Sequence, residues 1–351
     1  MRIDLFLLPF ATAFALTAGF CLLLLLLPFF RQRFWRNGER HKGKNMLPRL
    51  GGLAMCLAFL SVVIWDTHLV LTREIVGLLA GSVFVCLFGL WDDFRELSFK
   101  AQALLQVGLT VILFVFGMRI TSVRNPFGDT WVLSEQGALS IILGFALLFF
   151  WTALVINAVN WLDGLDGLLG SVSLVTFLVI FFLSLKPEVN QPPIAILAII
   201  AAGIAASFLF FNIHPAKIMA GTSGSMLLGL LISGLAIIAG TKIATALLVL
   251  ALPVADALWV IIERLRSGQS IFLPDQRHLH YKLRELGWSE GRIAWFFFLF
   301  TAFIGLIALS TAALGKFIAL LLVLSVIFSF LVFVEHKTRR RHPLSQKRQE
   351  V

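Results

Sequence analysis

A pair of adjacent acids, Asp92 and Asp93, interrupts an otherwise apolar stretch in the string GLWDDF, and Arg95 and Lys100 follow it. Two neighbouring carboxylates repel each other and stay ionised cheaply only near water or beside a cation such as Mg²⁺ or a lysine. The pair therefore indicates either a solvated helix end or a site that handles a cation or a phosphate.

A second polar group occupies the string NAVNWLDGLDGLLG, where Asn157, Asn160, Asp163 and Asp166 fall within ten positions. If the preceding helix continues, the spacing of three places the first three side chains along one helix face. Oxygen-bearing side chains of this kind are typical ligands of a hard cation or of a metal bound to phosphate. The two glycines let a ligand approach the backbone closely. A plain turn explains one Asp-Gly pair but not the whole string.

A third polar group lies in the string ERLRSGQSIFLPDQRHLHYKLRELG. Its candidate residues are Arg264, Arg266, Asp275, Arg277, His278, His280 and Lys282. Arginine grips phosphate in bidentate fashion, and imidazole donates hydrogen bonds to phosphate oxygens. Because a third histidine or cysteine ligand is missing nearby, zinc is not favoured here. The string predicts an anion-binding loop, and the alternative is a basic loop that reflects membrane topology alone.

The amino-acid composition indicates what kind of structure positions these three polar groups. Of the 351 residues, 59% are apolar and 14% are charged, and the mean hydropathy is +0.93. In a typical soluble domain about half of the residues are apolar and about a quarter are charged. Most of the outer surface of this protein must therefore face lipid. Cys21, Cys56 and Cys86 all lie in apolar runs and are expected to be buried thiols, with no disulfide and no zinc site.

We predict an all-α polytopic membrane protein of ten to eleven transmembrane helices. The apolar segments are approximately 5–30, 50–65, 75–91, 101–118, 137–156, 167–185, 193–211, 225–239, 243–262, 293–313 and 317–334. The first segment is interpreted as an anchor rather than a cleaved signal peptide. Residues 1–335 are expected to form a single membrane domain, and residues 336–351 a basic tail.

The charge distribution predicts the orientation. With an N-terminus outside and a C-terminus in the cytoplasm, 22 of the 29 Lys and Arg residues fall inside. The net charge of +10 is then best explained by anionic lipid and a phosphorylated substrate, and nucleic acid is not expected as a partner. All three polar groups come to the cytoplasmic side, together with the basic segment Arg40, His41, Lys42, Lys44 and Arg49. This arrangement suits a reaction between a water-borne phosphate compound and a lipid phosphate.

The strings also carry a resemblance. The blocks HKGKNMLPRLGG, GLWDDFRELSFKAQALLQ, NAVNWLDGLDGLLG, FNIHPAKIMAGTSGSMLLG and PDQRHLH resemble, in order and spacing, the polyprenyl-phosphate N-acetylhexosamine-1-phosphate transferase family. The resemblance implies an inner-membrane enzyme that moves N-acetylglucosamine 1-phosphate, or a related sugar phosphate, from UDP to undecaprenyl phosphate with release of UMP. It also implies a need for Mg²⁺, with Mn²⁺ as a substitute, a homodimer, and a role in cell-envelope polysaccharide synthesis such as that of lipopolysaccharide.

The resemblance assigns roles residue by residue. Asp92 and Asp93 match the catalytic acid pair that engages the lipid phosphate, and Asn160 and Asp163 match positions at the metal. Contacts to the nucleotide sugar or its phosphates are implied for Lys100, Asp166, Arg264, Arg266, Arg277, His278 and His280.

The chain departs from the family pattern at Thr222, where the family usually has the metal-binding Asp of Gly-Asp-x-Gly-Ser. A neutral hydroxyl is a poorer partner for Mg²⁺ than a carboxylate. Smaller departures are Tyr281, where a further histidine is frequent, and the lack of an Asp-x-Pro before His41. One alternative is therefore a catalytically impaired homologue that binds nucleotide or lipid. Another is a transporter, for which only Asp256, after Pro253, has the expected intramembrane position.

Overall fold

A computed structural model describes residues 4–27, 47–124, 128, 130–132, 137–240, 242–269 and 277–341. The helices are α1 (Asp4–Leu26), α2 (Gly51–Trp65), α3 (Arg73–Arg95), α4 (Phe99–Val115), α5 (Ala138–Asn160), α6 (Leu168–Ser184), α7 (Pro192–Asn212), α8 (Gly221–Ile238), α9 (Ile243–Val249), α10 (Ala251–Arg266), α11 (Leu279–Glu285), α12 (Glu290–Ser310) and α13 (Ala313–Arg341). A 3-10 helix, Trp161–Gly164, follows α5 directly. Of the residues singled out above, Arg40, His41, Lys42, Lys44, Asp275 and the tail from 342 to 351 lie outside the described ranges.

Each predicted apolar segment overlaps a helix of the described chain. Within the described ranges, seven helices are long and apolar enough to cross a bilayer, and an eighth span results if α9 and α10, which meet at 76°, form one broken span. The shorter apolar helices α2, α4 and α6 complete the bundle. The protein is therefore a multi-pass membrane protein whose membrane-crossing segments are helices, because in lipid the helix satisfies its own backbone hydrogen bonds.

One short hairpin departs from the all-α expectation. The three-residue strands β1 (Ser122–Arg124) and β2 (Thr130–Val132) pair antiparallel, with Val123 opposite Trp131. This hairpin lies in the connection between α4 and α5. The segment NPFGD between the strands has the Asn, Pro, Gly and Asp content of a turn. The first residues of the predicted basic tail, up to Arg341, are part of α13.

The centre of the bundle is formed by α7 and α8. The most apolar windows of these helices are 83% and 89% buried inside the protein, against 28% for α1 and α13. Small residues allow the close packing, since a Cβ at Gly203 would lie 2.5 Å from the carbonyl oxygen of Phe10 in α1. The outer helices carry exposed large side chains such as Leu8 and Phe303, which suit contact with lipid.

Candidate active site

Asp93, near the end of α3, contacts the beginning of α8. The backbone N–H of Thr222 donates to Oδ1 of Asp93 at 2.9 Å. The backbone N–H and the hydroxyl of Ser223 donate to Oδ2 at 3.3 and 3.1 Å. The first N–H groups of a helix lack partners within the helix and carry the positive end of its dipole. The start of α8 therefore holds the Asp93 carboxylate in place.

Asp92 contacts the same end of α8 from the other side. Its Oδ1 accepts hydrogen bonds from the backbone N–H of Leu97 at 2.8 Å and from Nε2 of Gln102 at 3.0 Å. Its Oδ2 accepts one from the hydroxyl of Thr222 at 2.6 Å. Asp92 is only 6% exposed and Asp93 only 7%, so the acid pair is not a solvated helix end.

Glycine makes this close approach of α3 and α8 sterically feasible. Gly89 lies three and four residues before the acid pair, on the same face of α3. A Cβ on Gly89 would lie 2.2 Å from Cα of Ser223, and one on Gly52 would lie 2.3 Å from the Ser223 hydroxyl. Gly221, which begins α8, has a φ of 68° that disfavours other residues. The glycines of the sequence blocks therefore bring backbones together around the acids.

Replacing Gly89 with alanine is expected to destabilise the protein by about 1 to 3 kcal/mol, because the added methyl group overlaps backbone atoms of α8. Thermal unfolding in detergent measures the effect. The matched control is Gly144→Ala in α5, where no atom lies within 4 Å of the added Cβ. Equal unfolding midpoints for the two variants would show that α3 and α8 do not approach each other in this way.

The asparagines at the end of α5 contact two different neighbours. Asn157 exchanges amide hydrogen bonds of 3.1 Å with Gln106 in α4. Oδ1 of Asn160 accepts a hydrogen bond from the hydroxyl of Ser225 in α8. In the sequence, the spacing placed Asn157, Asn160 and Asp163 along one face on the condition that the α-helix continues; the α-helix ends at Asn160 and a 3-10 helix follows it directly. The 3-10 turn then carries Asp163 with a ψ of 17°.

The segment from His278 to Tyr281, called here the histidine segment, packs on this 3-10 turn. The rings of Trp161 and His278 lie 5.1 Å apart, and the rings of His278 and His280 stack in parallel at 5.7 Å. A Cβ on Gly164 would lie 2.7 Å from Nε2 of His280 and 2.6 Å from the hydroxyl of Tyr281. A larger residue at this position would require the side chains of His280 and Tyr281 to shift.

His278 is oriented by a buried acid. Nδ1 of His278 lies 3.0 Å from Oδ2 of Asp256, and the backbone N–H of Leu279 donates to Oδ1 of Asp256 at 2.7 Å. Asp256 and His278 are each 5% exposed. In the sequence, the position of Asp256 within an apolar segment resembled that of a transporter's intramembrane acid. In the structure, Asp256 instead positions His278.

The basic residues differ in their placement. Arg264 is buried in the last turn of α10, whereas Arg266 and Lys100 are exposed. Arg277 donates to Oε1 of Gln269 at 2.6 Å and lies 4.0 Å from Glu263. The described contacts therefore connect Arg277 to the end of α10, and they do not bring Arg266 or Lys100 against the acids.

Asp166 belongs to a cluster that the sequence analysis missed. Its Oδ2 lies 2.9 Å from Nδ1 of His214 and accepts the backbone N–H of Ala216 at 3.2 Å. Its own backbone N–H donates to Oε2 of Glu290 at 3.3 Å. His214 lies in the quoted block FNIHPAKIMAGTSGSMLLG, but nothing in the local sequence marks Glu290, which begins α12 more than 120 residues after Asp166.

The three polar groups come together at one end of the bundle. α8 connects the first to the second, since its first turn contacts Asp92 and Asp93 and its Ser225 contacts Asn160. The 3-10 turn then connects the second to the third through Trp161 and His278. Carboxylates and an amide thus lie around the start of α8, and the imidazoles follow through the 3-10 turn.

The side chains at the junction of α5 and the 3-10 turn suit a magnesium ion. Asn160 and Asp163 offer hard amide and carboxylate oxygens, and Asn160 Oδ1 keeps a second lone pair beside its hydrogen bond to Ser225. Among the described residues, Asp92, Asp93 and Asp163 do not form a group whose ligand atoms all lie within 4.8 Å of one another. Since Mg²⁺ is usually bound by one or two protein groups, water and substrate phosphates, the residues fit such a shared site.

Together the fold and the site define a class, a multi-pass membrane protein with a polar site at one end of its helices. The family model of Glycosyl transferase family 4 matches residues 75–240, from α3 to the end of α8. The chain is 33% identical to a Mycobacterium leprae decaprenyl-phosphate N-acetylglucosaminephosphotransferase over 78% of this chain and 75% of the relative.

Other relatives carry related names. The chain is 29% identical to a probable undecaprenyl-phosphate N-acetylglucosaminyl 1-phosphate transferase of Bacillus subtilis, over 83% of this chain and 79% of the relative. It is 31% identical to a phospho-N-acetylmuramoyl-pentapeptide-transferase of Geobacillus kaustophilus, over 77% of this chain and 86% of the relative. The chain belongs to the polyprenyl-phosphate N-acetylhexosamine-1-phosphate transferase family.

Proposed function

We propose that this protein transfers N-acetylglucosamine 1-phosphate from UDP-N-acetylglucosamine to undecaprenyl phosphate, releasing UMP. The observation that carries the proposal is a continuous set of contacts. The start of α8 contacts the acid pair and Asn160, and the 3-10 turn that follows Asn160 contacts His278. The activities for which the Mycobacterium leprae and Bacillus subtilis relatives are named support N-acetylglucosamine and a polyprenyl phosphate. The product would supply cell-envelope polysaccharide synthesis.

The proposed setting is the inner membrane, with the site on the cytoplasmic face. It rests on eleven spans with the N-terminus outside, which leave only Arg2, Arg73, Arg119, Arg124, Lys186, Lys242 and Lys316 on the outer side. Residues 1–335 would form the catalytic membrane domain. Both substrates reach such a site without crossing the bilayer, since the nucleotide sugar is made in the cytoplasm and the lipid phosphate lies at the inner headgroup layer.

The proposed reaction is a direct displacement. An oxygen of the lipid phosphate attacks the sugar-bearing phosphorus, a new P–O bond forms, and the bond to the UMP phosphate breaks with its electron pair leaving on UMP. A phosphate monoester has a second pKa near 6, so the lipid phosphate is already mostly dianionic at neutral pH. Asp92 and Asp93 then position the lipid phosphate or take its residual proton.

Charge repulsion is the larger obstacle to this reaction. Bringing a dianion to a pyrophosphate requires positive charge and in-line positioning. We assign anion contacts to His278, His280 and the arginines Arg264, Arg266 and Arg277, with Lys100 and Asp166 as further contacts to the nucleotide sugar. When bound by Asn160 and Asp163, Mg²⁺ would supply further charge neutralisation, and Mn²⁺ would serve as a substitute.

The hydrogen bonds of the acid pair favour the direct route over a covalent aspartyl-phosphate. Both oxygens of Asp93 accept hydrogen bonds from α8, and both oxygens of Asp92 have donors as well. A carboxylate held by several donors is a weaker nucleophile. Recovery of a labelled phosphosugar on the protein, in the absence of lipid phosphate, would contradict the direct route.

The decisive assay measures UMP released by purified protein from UDP-N-acetylglucosamine, with undecaprenyl phosphate and Mg²⁺. The expected result is UMP release that requires all three components. Nucleotide binding without UMP release would identify a catalytically impaired homologue, the rival suggested by Thr222. The same assay with UDP-N-acetylgalactosamine tests the choice of sugar.

Replacing Thr222 with aspartate is expected to raise the affinity for Mg²⁺ or the turnover. The new carboxylate would stand where the Thr222 hydroxyl now lies 2.6 Å from Oδ2 of Asp92, and two carboxylates that close favour a bound cation. Activity as a function of Mg²⁺ concentration is the measurement. The control is Thr222→Asn, because asparagine has the size of aspartate but no charge. If the two variants respond alike to Mg²⁺, the metal is held by other groups.

A further inference from the structure

We propose that Asp166, His214 and Glu290 form a second metal site, suited to a divalent transition-metal ion such as Zn²⁺. Each residue offers one ligand atom, and the three atoms all lie within 4.8 Å of one another. Among the described residues, no other set of three His, Cys, Asp or Glu side chains brings its ligand atoms this close together. The inference rests on this geometry and not on the proposed function, and zinc bound here would replace the direct contact between Asp166 and the nucleotide sugar that is assigned above.

The spacing of the ligand atoms matches a coordination shell. Two ligands held about 2.0 to 2.1 Å from a tetrahedral Zn²⁺ ion lie about 3.3 Å apart. Nδ1 of His214 is 2.9 Å from Oδ2 of Asp166 and 3.8 Å from Oε2 of Glu290, distances on either side of that value. The second distance is too long for a hydrogen bond. Small shifts of these side chains would place both oxygens and the nitrogen around one ion.

The chemistry of the ligands separates this site from the magnesium site. One imidazole nitrogen with two carboxylate oxygens suits Zn²⁺ and its neighbours in the transition series, whereas Mg²⁺ prefers oxygen ligands alone. Three protein ligands leave a fourth position for water. The side chain of His214 is 54% exposed and that of Asp166 8%, so the site has a solvent-facing side and a buried side.

The surrounding contacts fix two of the ligands. Oδ2 of Asp166 is aimed by the backbone N–H of Ala216, and the backbone N–H of Asp166 donates to Oε2 of Glu290. Nη1 of Arg284 lies 3.7 Å from the other oxygen of Glu290, which turns Oε2 toward the cluster.

The bound ion would join three segments far apart in sequence. These are the turn that carries Asp166, the loop between α7 and α8, and the start of α12. Because a site of this kind does not exist in the unfolded chain, binding contributes directly to the free energy of folding. Zinc should therefore raise the unfolding temperature of the protein.

The test uses full-length protein in detergent, purified with a tag that lacks histidine, stripped with a chelator and dialysed against ZnCl₂. We expect about one retained zinc ion per chain by elemental analysis and a higher unfolding midpoint with Zn²⁺ than with the same concentration of Mg²⁺. His214→Ala and Glu290→Gln should each lose the ion and the zinc-dependent shift. The control His68→Ala removes a histidine that lies 3.8 Å from Asp66, and it should retain both.

Three outcomes would overturn the proposal. They are a wild-type protein that retains no zinc, a His214→Ala variant that retains as much as the wild type, and loss of zinc in His278→Ala but not in His214→Ala. His214→Ala removes the partner of Asp166, so its metal-free unfolding midpoint serves as the reference against which the zinc-dependent shift of that variant is measured. If His214→Ala fails to fold, the visible spectrum of Co²⁺ bound to wild type and Glu290→Gln decides, since a tetrahedral site gives intense absorption in the wild type alone.

Discussion

Asp93→Asn is expected to lower the turnover number for UMP release by about 10²-fold or more, the scale for removing a charge-stabilising group from an active site. The asparagine keeps the size of the side chain and one acceptor oxygen for the N–H of Thr222. It places an amide NH₂ against the N–H of Ser223, where Oδ2 of Asp93 now accepts. Steady-state UMP release by the purified variant measures the effect.

The control for Asp93→Asn is Asp66→Asn, the same change at the opposite end of α2 from the site. Because Asp93 also caps α8, the variant should lose about 1 kcal/mol of stability, which thermal unfolding measures separately. A variant that is folded at the assay temperature but 10²-fold slower supports a role in the reaction. Near-normal turnover would remove Asp93 from the active site.

Asp163→Asn is expected to lower turnover by a similar factor, about 10² or more, for a different reason. Asp163 supplies the carboxylate of the proposed magnesium site, and an amide is a weaker ligand for a hard cation. The Mg²⁺ concentration for half-maximal activity should therefore rise along with the loss of turnover. That shift separates Asp163 from Asp93, whose replacement should leave the metal dependence nearly unchanged.

Asp163→Glu keeps the charge and serves as the matched variant. It should retain more of the metal affinity than Asp163→Asn, because the carboxylate is preserved and only its reach changes. Unaltered turnover and unaltered Mg²⁺ dependence in Asp163→Asn would exclude Asp163 as a ligand. The magnesium proposal would then rest on Asn160 and substrate oxygens alone.

Much of the fold follows from hydropathy. Each predicted apolar segment overlaps a helix because a chain in lipid must satisfy its backbone hydrogen bonds within the segment. The break between α9 and α10 was not predicted. Pro253 lies in the first turn of α10, a position that tolerates proline, and it is therefore compatible with a new helix that begins there. The hairpin between α4 and α5 was also missed, since it lies in a connection that does not have to be helical.

The amino-acid sequence by itself determined the kinds of chemical groups at the helix ends and, through charge and apolar length, the side of the membrane on which we place them. Only the tertiary structure decided their partners. Asp92 meets Thr222 across 130 positions, Asp256 meets His278 across 22, and Asp166 meets Glu290 across 124. Such pairs depend on which helices pack together and on the glycines that let them approach, and no local pattern encodes a contact between distant segments.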